Sequence, residues 1–199
     1  MYITDTALSA GVDAIAGLFD FLSVHTAFST TGANEDSGGS YGRTAAAWNS
    51  GSGGEATLNG NVDINVNAIT AKYVGGWSLS SGGTFYGMFP VGSTGFKKFY
   101  AIASTDVFHA EAHGFANDAR VVLFGDALPG GVTQATEYWV VNTATDTFQL
   151  STSQGGGAVD VTDEGFGVAS ILVAETFSSP GVLRVNGTTS KLSLLGLRT

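Results

Sequence analysis

Alternation of apolar and polar residues is the dominant pattern in this chain. It is clearest where Val62, Ile64 and Val66 alternate with Asp63 and Asn65, and a period of two is typical of a half-buried strand. Strand patterning also covers residues 21–26, 45–48, 56–58, 69–79 and 84–91, then 106–112, 119–124, 137–142, 147–151, 159–162 and 168–173, and finally 181–185 and 191–197 on either side of a predicted Asn186-Gly187 hairpin turn. The pattern therefore predicts a mainly β fold of short strands.

One segment near the N-terminus departs from this pattern. Residues 5–18 carry apolar side chains at helical spacing, among them Leu8 and Val12. Asp5 or Thr6 is expected to cap the start of the segment, because their side-chain oxygens can accept from its first amides. The sequence therefore predicts one short N-terminal helix.

A long polar loop interrupts the strands early in the chain. About fourteen turn-prone residues without an apolar period follow the strand that ends near Thr26, and loops of that kind are commonly functional or flexible. The loop holds Asn34, Glu35 and Asp36, and it ends on Arg43. Two compatible roles for these residues remain open: Arg43 pins the loop through a carboxylate, and the loop contacts another subunit.

Composition narrows the class of protein. The 199 residues fit one large domain or two small ones. Only 13% of them are charged, about half of the usual share, and neutral surfaces suit a protein that packs into a larger assembly. The net charge is −9 with scattered basic residues, so we expect no nucleic-acid partner.

Cysteine and targeting signals are missing from the sequence. Because there is no Cys, disulfides and thiolate metal sites are excluded. No basic residue precedes Arg43 and no apolar run reaches membrane length. We therefore expect a protein that is made in the cytoplasm, outside the secretory route and with no membrane partner.

Three residues in the middle of the chain resemble a metal-ligand set. His109, Glu111 and His113 would project from one face of a strand, and imidazole and carboxylate groups bind zinc or iron. Their spacing of about 7 Å along a strand is wide for one ion. We therefore favour surface or turn-forming histidines and expect no metal and no cofactor.

His25 raises the question of hydrolase chemistry, because Asp20, Ser23 and Ser29 are near it in sequence. No G-x-S-x-G elbow accompanies them. The favoured interpretation is that His25 is a buried strand histidine that is bonded to the polar loop. We therefore expect that the protein is not an enzyme.

Several motifs in the first half occur in an order that resembles a known family. They are His25-Thr26, Thr31-Gly32-Ala33-Asn34-Glu35, Gly38-Gly39-Ser40-Tyr41-Gly42-Arg43, Trp48, Val62–Val66, Tyr73–Ser78 and Gly82–Gly87. The set is similar to a family of small structural proteins of tailed bacteriophages, commonly described as minor tail or tail-fibre proteins and in some cases as capsid decoration. The resemblance covers residues 1–91, although Phe28 stands where the family usually has an acidic residue.

The middle of the chain resembles a second module of phage virion proteins. Its motif segments are His113–Phe115, Arg120–Phe124, Leu128–Val132, Glu137–Asn142, Thr147–Leu150 and Gly156–Val159. The closing hairpin of the first family is then matched only near Glu175. The resemblance thus implies nesting: residues 1–96 with 175–199 form a host β-sandwich domain, and 104–172 form an inserted β-sandwich or barrel. Nesting predicts that the tail strands pair with residues 84–91, whereas two sequential domains are the alternative.

The two resemblances imply a non-catalytic structural protein of the virion, assembled in the bacterial cytoplasm. The host domain would anchor it to capsid or tail proteins, as a homo-oligomer such as a trimer, and the inserted domain would face outward. A carbohydrate-binding module for host adhesion, acting on a host-surface glycan, is the alternative function.

Aromatic residues of the first half are expected in the core: Trp48, Tyr73, Trp77, Phe85 and Phe89. Aromatic residues expected to make exposed contacts are Phe115, Tyr138 and Trp139.

Overall fold

The computed structural model describes residues 3–194. They form a mainly β chain with one N-terminal α-helix, several small sheets and a closed six-stranded barrel, which confirms the predicted fold class. The chain divides into two compact units: a first unit of Met1–Phe89 and Glu175–Thr199, and a second unit of Pro90–Ala174. Within the described range, no helix combines the length and hydrophobicity needed to cross a membrane.

The secondary-structure elements are numbered in chain order. In the first unit they are α1 (Asp5–Ala16), β1 (Phe21–His25), β2 (Thr44–Ala45), β3 (Glu55–Thr57), β4 (Val62–Val66), β5 (Thr70–Ala71), β6 (Tyr73–Trp77), β7 (Phe85–Pro90, ending on the first residue of the second unit), β14 (Glu175–Thr176), β15 (Gly181–Val185) and β16 (Lys191–Ser193). In the second unit they are β8 (Lys97–Ile102), a 3₁₀ turn (Ala103–Thr105), β9 (Val107–His109), β10 (Arg120–Ala127), β11 (Tyr138–Val141), β12 (Thr147–Ser151) and β13 (Gly165–Ile171).

Helix α1 begins at the predicted residue, Asp5, and ends at Ala16, two residues before the predicted end, but its N-cap differs from the prediction. Thr4 is the N-cap, with an extended backbone and a hydroxyl that accepts from the Ala7 amide at 3.3 Å, so the prediction of Asp5 or Thr6 as the cap was wrong. Its buried face contains Leu8, Val12 and Ala16, at the spacing of four that brings side chains to one side of a helix.

The main sheet of the first unit has the strand order β2-β1-β6-β7. Strands β1 and β6 are antiparallel, with Leu22 opposite Gly76. A Cβ on Gly76 would lie 1.8 Å from the Phe19 ring, so glycine at this position allows the ring to pack directly on the strand. Of the aromatic residues predicted in the core, two are buried and the rest are partly buried: Tyr73 and Trp77, then Trp48, Phe85 and Phe89.

The closing segment of the chain pairs with the first unit, but not with the predicted strand. Strands β14, β15 and β16 pair with β5, β4 and β3 respectively, so the expected pairing with residues 84–91 was wrong. Since β15 and β16 pair with different strands, Asn186-Gly187 is not the turn of a hairpin. The predicted continuation of the last strand to Leu197 lies outside the described residues.

The second unit is a closed barrel with the strand order β10-β11-β12-β9-β8-β13. Strand β8, which no prediction covered, joins β9 to β13 and so completes the barrel.

Residues 159–162 were predicted as a strand but are not one. There, the Val161 side chain is buried and its amide donates to the Asp106 carboxylate at 2.8 Å, so a side-chain bond replaces a ladder bond. The barrel core contains Phe99, Ala101, Phe108, Ala110, Phe115, Val121, Leu123, Tyr138, Val140, Phe148, Leu150, Val161 and Ala169.

The chain enters and leaves the second unit at adjacent points. The Val173 amide donates to the Val91 carbonyl at 2.8 Å, and the hydroxyls of Ser93 and Ser170 are 2.6 Å apart. Residues 90–96, assigned by the sequence to the host domain, therefore belong to the second unit. A domain whose two chain ends lie close together can be inserted into a loop of another domain.

We expect residues 90–174 to fold as a separate polypeptide, because their core and both chain ends lie within one unit. The isolated segment should unfold in one cooperative transition and show aromatic near-ultraviolet circular dichroism. Phe148→Ala is the matched variant, and loss of this fully buried ring should cost about 3–5 kcal/mol. A gradual transition that this substitution leaves unchanged would contradict the expectation.

Candidate functional site

The polar loop, residues 26–43, folds back against β1 in the first unit. The Thr26 amide donates to the Asn34 carbonyl at 3.0 Å, and the Asp36 amide donates to the Val24 carbonyl at 2.9 Å. Ladder-like bonds of this kind hold the loop backbone at both sides of its tip. The loop backbone is therefore held in a defined conformation within the first unit.

An ion pair between Arg43 and Glu35 lies at the centre of the loop. Nε and Nη2 of Arg43 donate to the two carboxylate oxygens, each at 2.8 Å, while Nη1 donates to the carbonyls of Leu79 (3.1 Å) and Gly82 (2.6 Å). The guanidinium carbon also lies 3.4 Å from the centre of the Trp77 ring. Only arginine offers this planar fork together with a face for stacking. The pair is largely buried, with side chains 10% and 17% exposed.

Tyr41 completes the surroundings of the Glu35 carboxylate. Its hydroxyl donates to Glu35 Oε1 at 2.7 Å and accepts from the Val24 amide at 3.2 Å. Burial, followed by the hydrogen bond to Glu35, raises the pKa of Tyr41 far above its usual range. The phenol therefore stays protonated and remains a donor to the carboxylate.

Asp36 ties the loop to the end of β4. Its carboxylate accepts from the backbone and side-chain amides of Asn67, both at 2.9 Å, and from the Ser37 amide at 2.8 Å. The Asn67 side chain also donates to the carbonyls of Ser37 and Gly38, each at 3.1 Å. Because its carboxylate accepts three hydrogen bonds and the residue is only 8% exposed, Asp36 has a structural role.

The four loop residues predicted as contact residues thus have different positions. Glu35, Asp36 and Arg43 are bonded inside the first unit, as the pinning hypothesis predicts, while their contact with another subunit stays a prediction. Asn34 is exposed and has a left-handed backbone with φ of 62°, a conformation that asparagine tolerates better than most residues. An outward contact would therefore involve the surface around the ion pair.

A hydrogen-bonded chain runs from Trp77 through β1 into the loop. Trp77 Nε1 donates to Ser23 Oγ at 3.0 Å, Ser23 Oγ lies 2.7 Å from His25 Nε2, and His25 Nδ1 lies 2.9 Å from the Ala33 carbonyl. A carbonyl only accepts, so Nδ1 carries the proton and Nε2 accepts from the serine hydroxyl. Burial lowers the pKa of His25, which keeps the ring neutral. The predicted buried histidine that is bonded to the loop is confirmed.

The pairing of Ser23 with His25 has the distance of a nucleophile and its base. Both residues are fully buried, and the partner of Nδ1 is a backbone carbonyl. Ser29, the other serine in the hydrolase hypothesis, accepts from the amides of Thr31 and Ala33 within the loop. This arrangement holds the loop in place and leaves no room for a substrate at the hydroxyl.

An open groove of about 360 Å³ lies between the polar loop and the turn at residues 80–82. The Glu35–Arg43 pair lines it, and exposed residues such as Ser37 and Ser81 form its rim. The rim is neutral and small, so another protein surface could approach it without desolvating a charge. We call these rim residues, Ser37, Gly38, Ser80, Ser81 and Gly82, the loop rim.

The metal-ligand candidate of the second unit does not form. Strand β9 ends at His109, so Glu111 and His113 do not continue its face. His113 is buried, where its Nδ1 accepts from the Phe115 amide at 2.9 Å and its Nε2 donates to the Thr147 carbonyl at 3.2 Å. Among residues 3–194, no cluster of His, Cys, Asp or Glu has the geometry to hold a metal ion.

The prediction that Phe115, Tyr138 and Trp139 are exposed was mostly wrong. Phe115 and Tyr138 are each 4% exposed and belong to the barrel core, and Trp139 is half-buried. The exposed aromatic residues of the barrel strands are instead Tyr100 and Phe166. Sequence reasoning missed Tyr100 because strand β8 was not predicted, although Lys98 and Tyr100 alternate there with Phe99 and Ala101. It missed Phe166 because the predicted strand began at residue 168, whereas β13 begins at Gly165.

Comparison with family models, with curated proteins and with solved structures gave no match.

We expect Arg43→Lys to destabilise the first unit by about 2–4 kcal/mol, because lysine loses the fork and the Trp77 stacking while Glu35 stays largely buried. Thermal unfolding measures the effect. Arg184→Lys is the matched control, since Arg184 makes a bidentate pair with Asp63 at 2.7 Å on an exposed surface, and such pairs contribute little. Equal losses from the two substitutions would contradict the central role of Arg43.

Stability should also fall as His25 is forced to accept a proton. Because burial lowers its folded pKa below 6.5, the unfolded state binds more protons, and stability is complete above pH 6.5 and decreases below it. We expect the wild-type melting temperature to fall more than that of His25→Asn between pH 7 and pH 5. Arg184 lowers the pKa of Asp63, so protonation of Asp63 affects stability only below about pH 4. An NMR titration midpoint of His25 above 6.5 would contradict this assignment.

Proposed function

We propose that the protein is a non-catalytic structural component of a tailed-phage virion. In this proposal the first unit anchors the chain to the particle and the second unit is displayed as a barrel. The observation that carries the proposal is the pairing of β4 with β15, from Val62 opposite Val185 to Val66 opposite Gly181. Segments on both sides of the barrel build the first unit, so the barrel would be an insertion that can vary without altering the anchor.

The phage-like motifs support a structural role, since they meet in one bonded assembly. Glu35 and Arg43 come from separate motif segments of the polar loop, and Trp77 comes from a motif in β6. His25, from the first motif, reaches the same indole through Ser23. The motif residues therefore hold the loop in shape, and a fixed loop shape is what an assembly contact requires.

We assign the anchoring contact to the loop rim and to an edge of the main sheet. The rim is exposed and neutral, and β7 is an edge strand of the four-stranded sheet. An edge strand offers main-chain donors and acceptors to another chain. The partners would be a capsid or tail protein at the rim and a second copy of this chain at the edge, giving a homo-oligomer such as a trimer.

The experiment is detection of the chain in purified phage particles. Mass spectrometry should find it at fixed stoichiometry, and gold-labelled antibodies against residues 90–174 should decorate intact particles on either the tail or the capsid. Ser81→Trp on the loop rim should reduce incorporation about tenfold or more, equivalent to about 1.4 kcal/mol. Ser178→Trp, at another exposed serine of the first unit, is the matched control.

Two results would contradict the proposal in separate ways. A chain that is missing from purified particles would overturn the virion role. Equal incorporation of the Ser81 and Ser178 variants, both with wild-type melting temperatures, would overturn the loop rim as the contact.

A further inference from the structure

A row of aromatic side chains crosses the outer face of the barrel. Phe166 on β13 is opposite Tyr100 on β8, and Tyr100 is opposite His109 on β9. Because neighbouring strands are about 4.8 Å apart, the three positions span about 10 Å across the sheet. We call these three residues the aromatic row.

The two larger rings of the aromatic row are open to solvent, while His109 is half-buried. Phe166 is 64% exposed and Tyr100 is 55% exposed, and the rings of Tyr100 and His109 stack in parallel with centroids 4.7 Å apart. The alternate residues of β8, Phe99 and Ala101, are buried in the core. The barrel is therefore packed without the row, and exposed apolar side chains grouped on one face are typical of a binding surface.

A groove of about 480 Å³ adjoins the row. Tyr100 and His109 line it together with the charged side chains of Lys98, Glu111 and Asp146. The Asp146 carboxylate accepts from the Ala112 amide at 2.8 Å, which fixes the loop after β9 beside the rings. Ring faces, carboxylates and an ammonium group are thus presented together in one place.

This combination fits a neutral sugar. Aromatic faces carry a negative quadrupole, which attracts the weakly positive C–H groups on the apolar side of a sugar ring. Carboxylates such as Glu111 accept hydrogen bonds from sugar hydroxyls, and the Lys98 ammonium donates to sugar oxygens. Hydrogen bonding from the groove would orient a ligand that stacks on the row.

Other ligand classes fit less well. A single-stranded nucleic acid also stacks on aromatic side chains but needs a positive groove for its phosphates, whereas two carboxylates line this one and the chain carries a net charge of −9. An extended peptide that binds by strand addition needs a free sheet edge, and the barrel is closed.

We propose that the aromatic row and its groove bind a neutral oligosaccharide, of the kind displayed on a bacterial cell surface. The biological setting rests on the proposed virion function, because a barrel displayed on a particle would meet such glycans. Each site is small and open, so we expect weak single-site binding that several copies on one particle would strengthen.

The test uses the full chain and a panel of short linear glucans, mannans and galactans, measured by NMR and titration calorimetry. At least one sugar should bind, and Tyr100→Ala and Phe166→Ala should each weaken its binding about tenfold or more, whereas Tyr100→Phe should retain most of it. Tyr86→Ala, which removes a 39% exposed ring from the first unit, should leave binding unchanged. The His109 ring signals should move on binding while those of the buried His25 remain in place.

The outcomes separate this proposal from the virion role. Binding of no sugar, sugar binding that both alanine variants retain, or binding only to single-stranded nucleic acid at low salt would overturn the sugar site, even if the chain is found in particles. Tyr100→Ala should still incorporate into particles, because the row does not belong to the anchoring unit. Sugar binding by a chain that is missing from particles would support the site and overturn the virion role.

Discussion

The pairing of β4 with β15 is the constraint on which the architecture depends. It joins residues more than one hundred positions apart, and the Asp63–Arg184 ion pair lies across the same register. Closing so long a loop costs entropy that grows only slowly with length, so a folded barrel between the two strands is tolerated. The Val173–Val91 bond brings the barrel's ends together and so shortens the effective loop. The consequence is one chain with two independent cores.

Within the first unit, buried polar groups fix the polar loop. Glu35, Arg43 and Tyr41 satisfy one another, while Asp36 bonds to Asn67. Among the described residues, no buried side-chain polar atom lacks a partner. Fully satisfied networks of this kind give a loop one shape, because any slip would leave a buried donor or acceptor unpaired. The network thus gives the polar loop one defined shape.

In the functions proposed above, the first unit serves assembly and the second unit serves recognition. In the first unit, the large aromatic residue Trp77 stacks on Arg43 and donates to Ser23, so its ring stabilises the hydrogen-bonded network of the loop. In the second unit, the closed barrel is packed by its inward residues, which leaves Tyr100 and Phe166 available at the surface. A rigid closed barrel is a suitable support for such a row, because its register holds the rings in line without a ligand.

The sequence by itself determined the mainly β fold, the helix, strands such as Val62–Val66, and the burial of His25, because these follow from local periodicity and from residue type. The tertiary structure decided which strands pair and which side chains face outward. Alternation alone cannot tell an inward face from an outward one: Tyr138, in a predicted strand, was expected to be exposed and is buried. Tyr100 was missed with its strand, because the short alternation of residues 98–101 does not by itself show that the segment pairs with β9 and β13. Likewise, Glu35 and Arg43 became a structural pair only when folding brought the loop around Trp77.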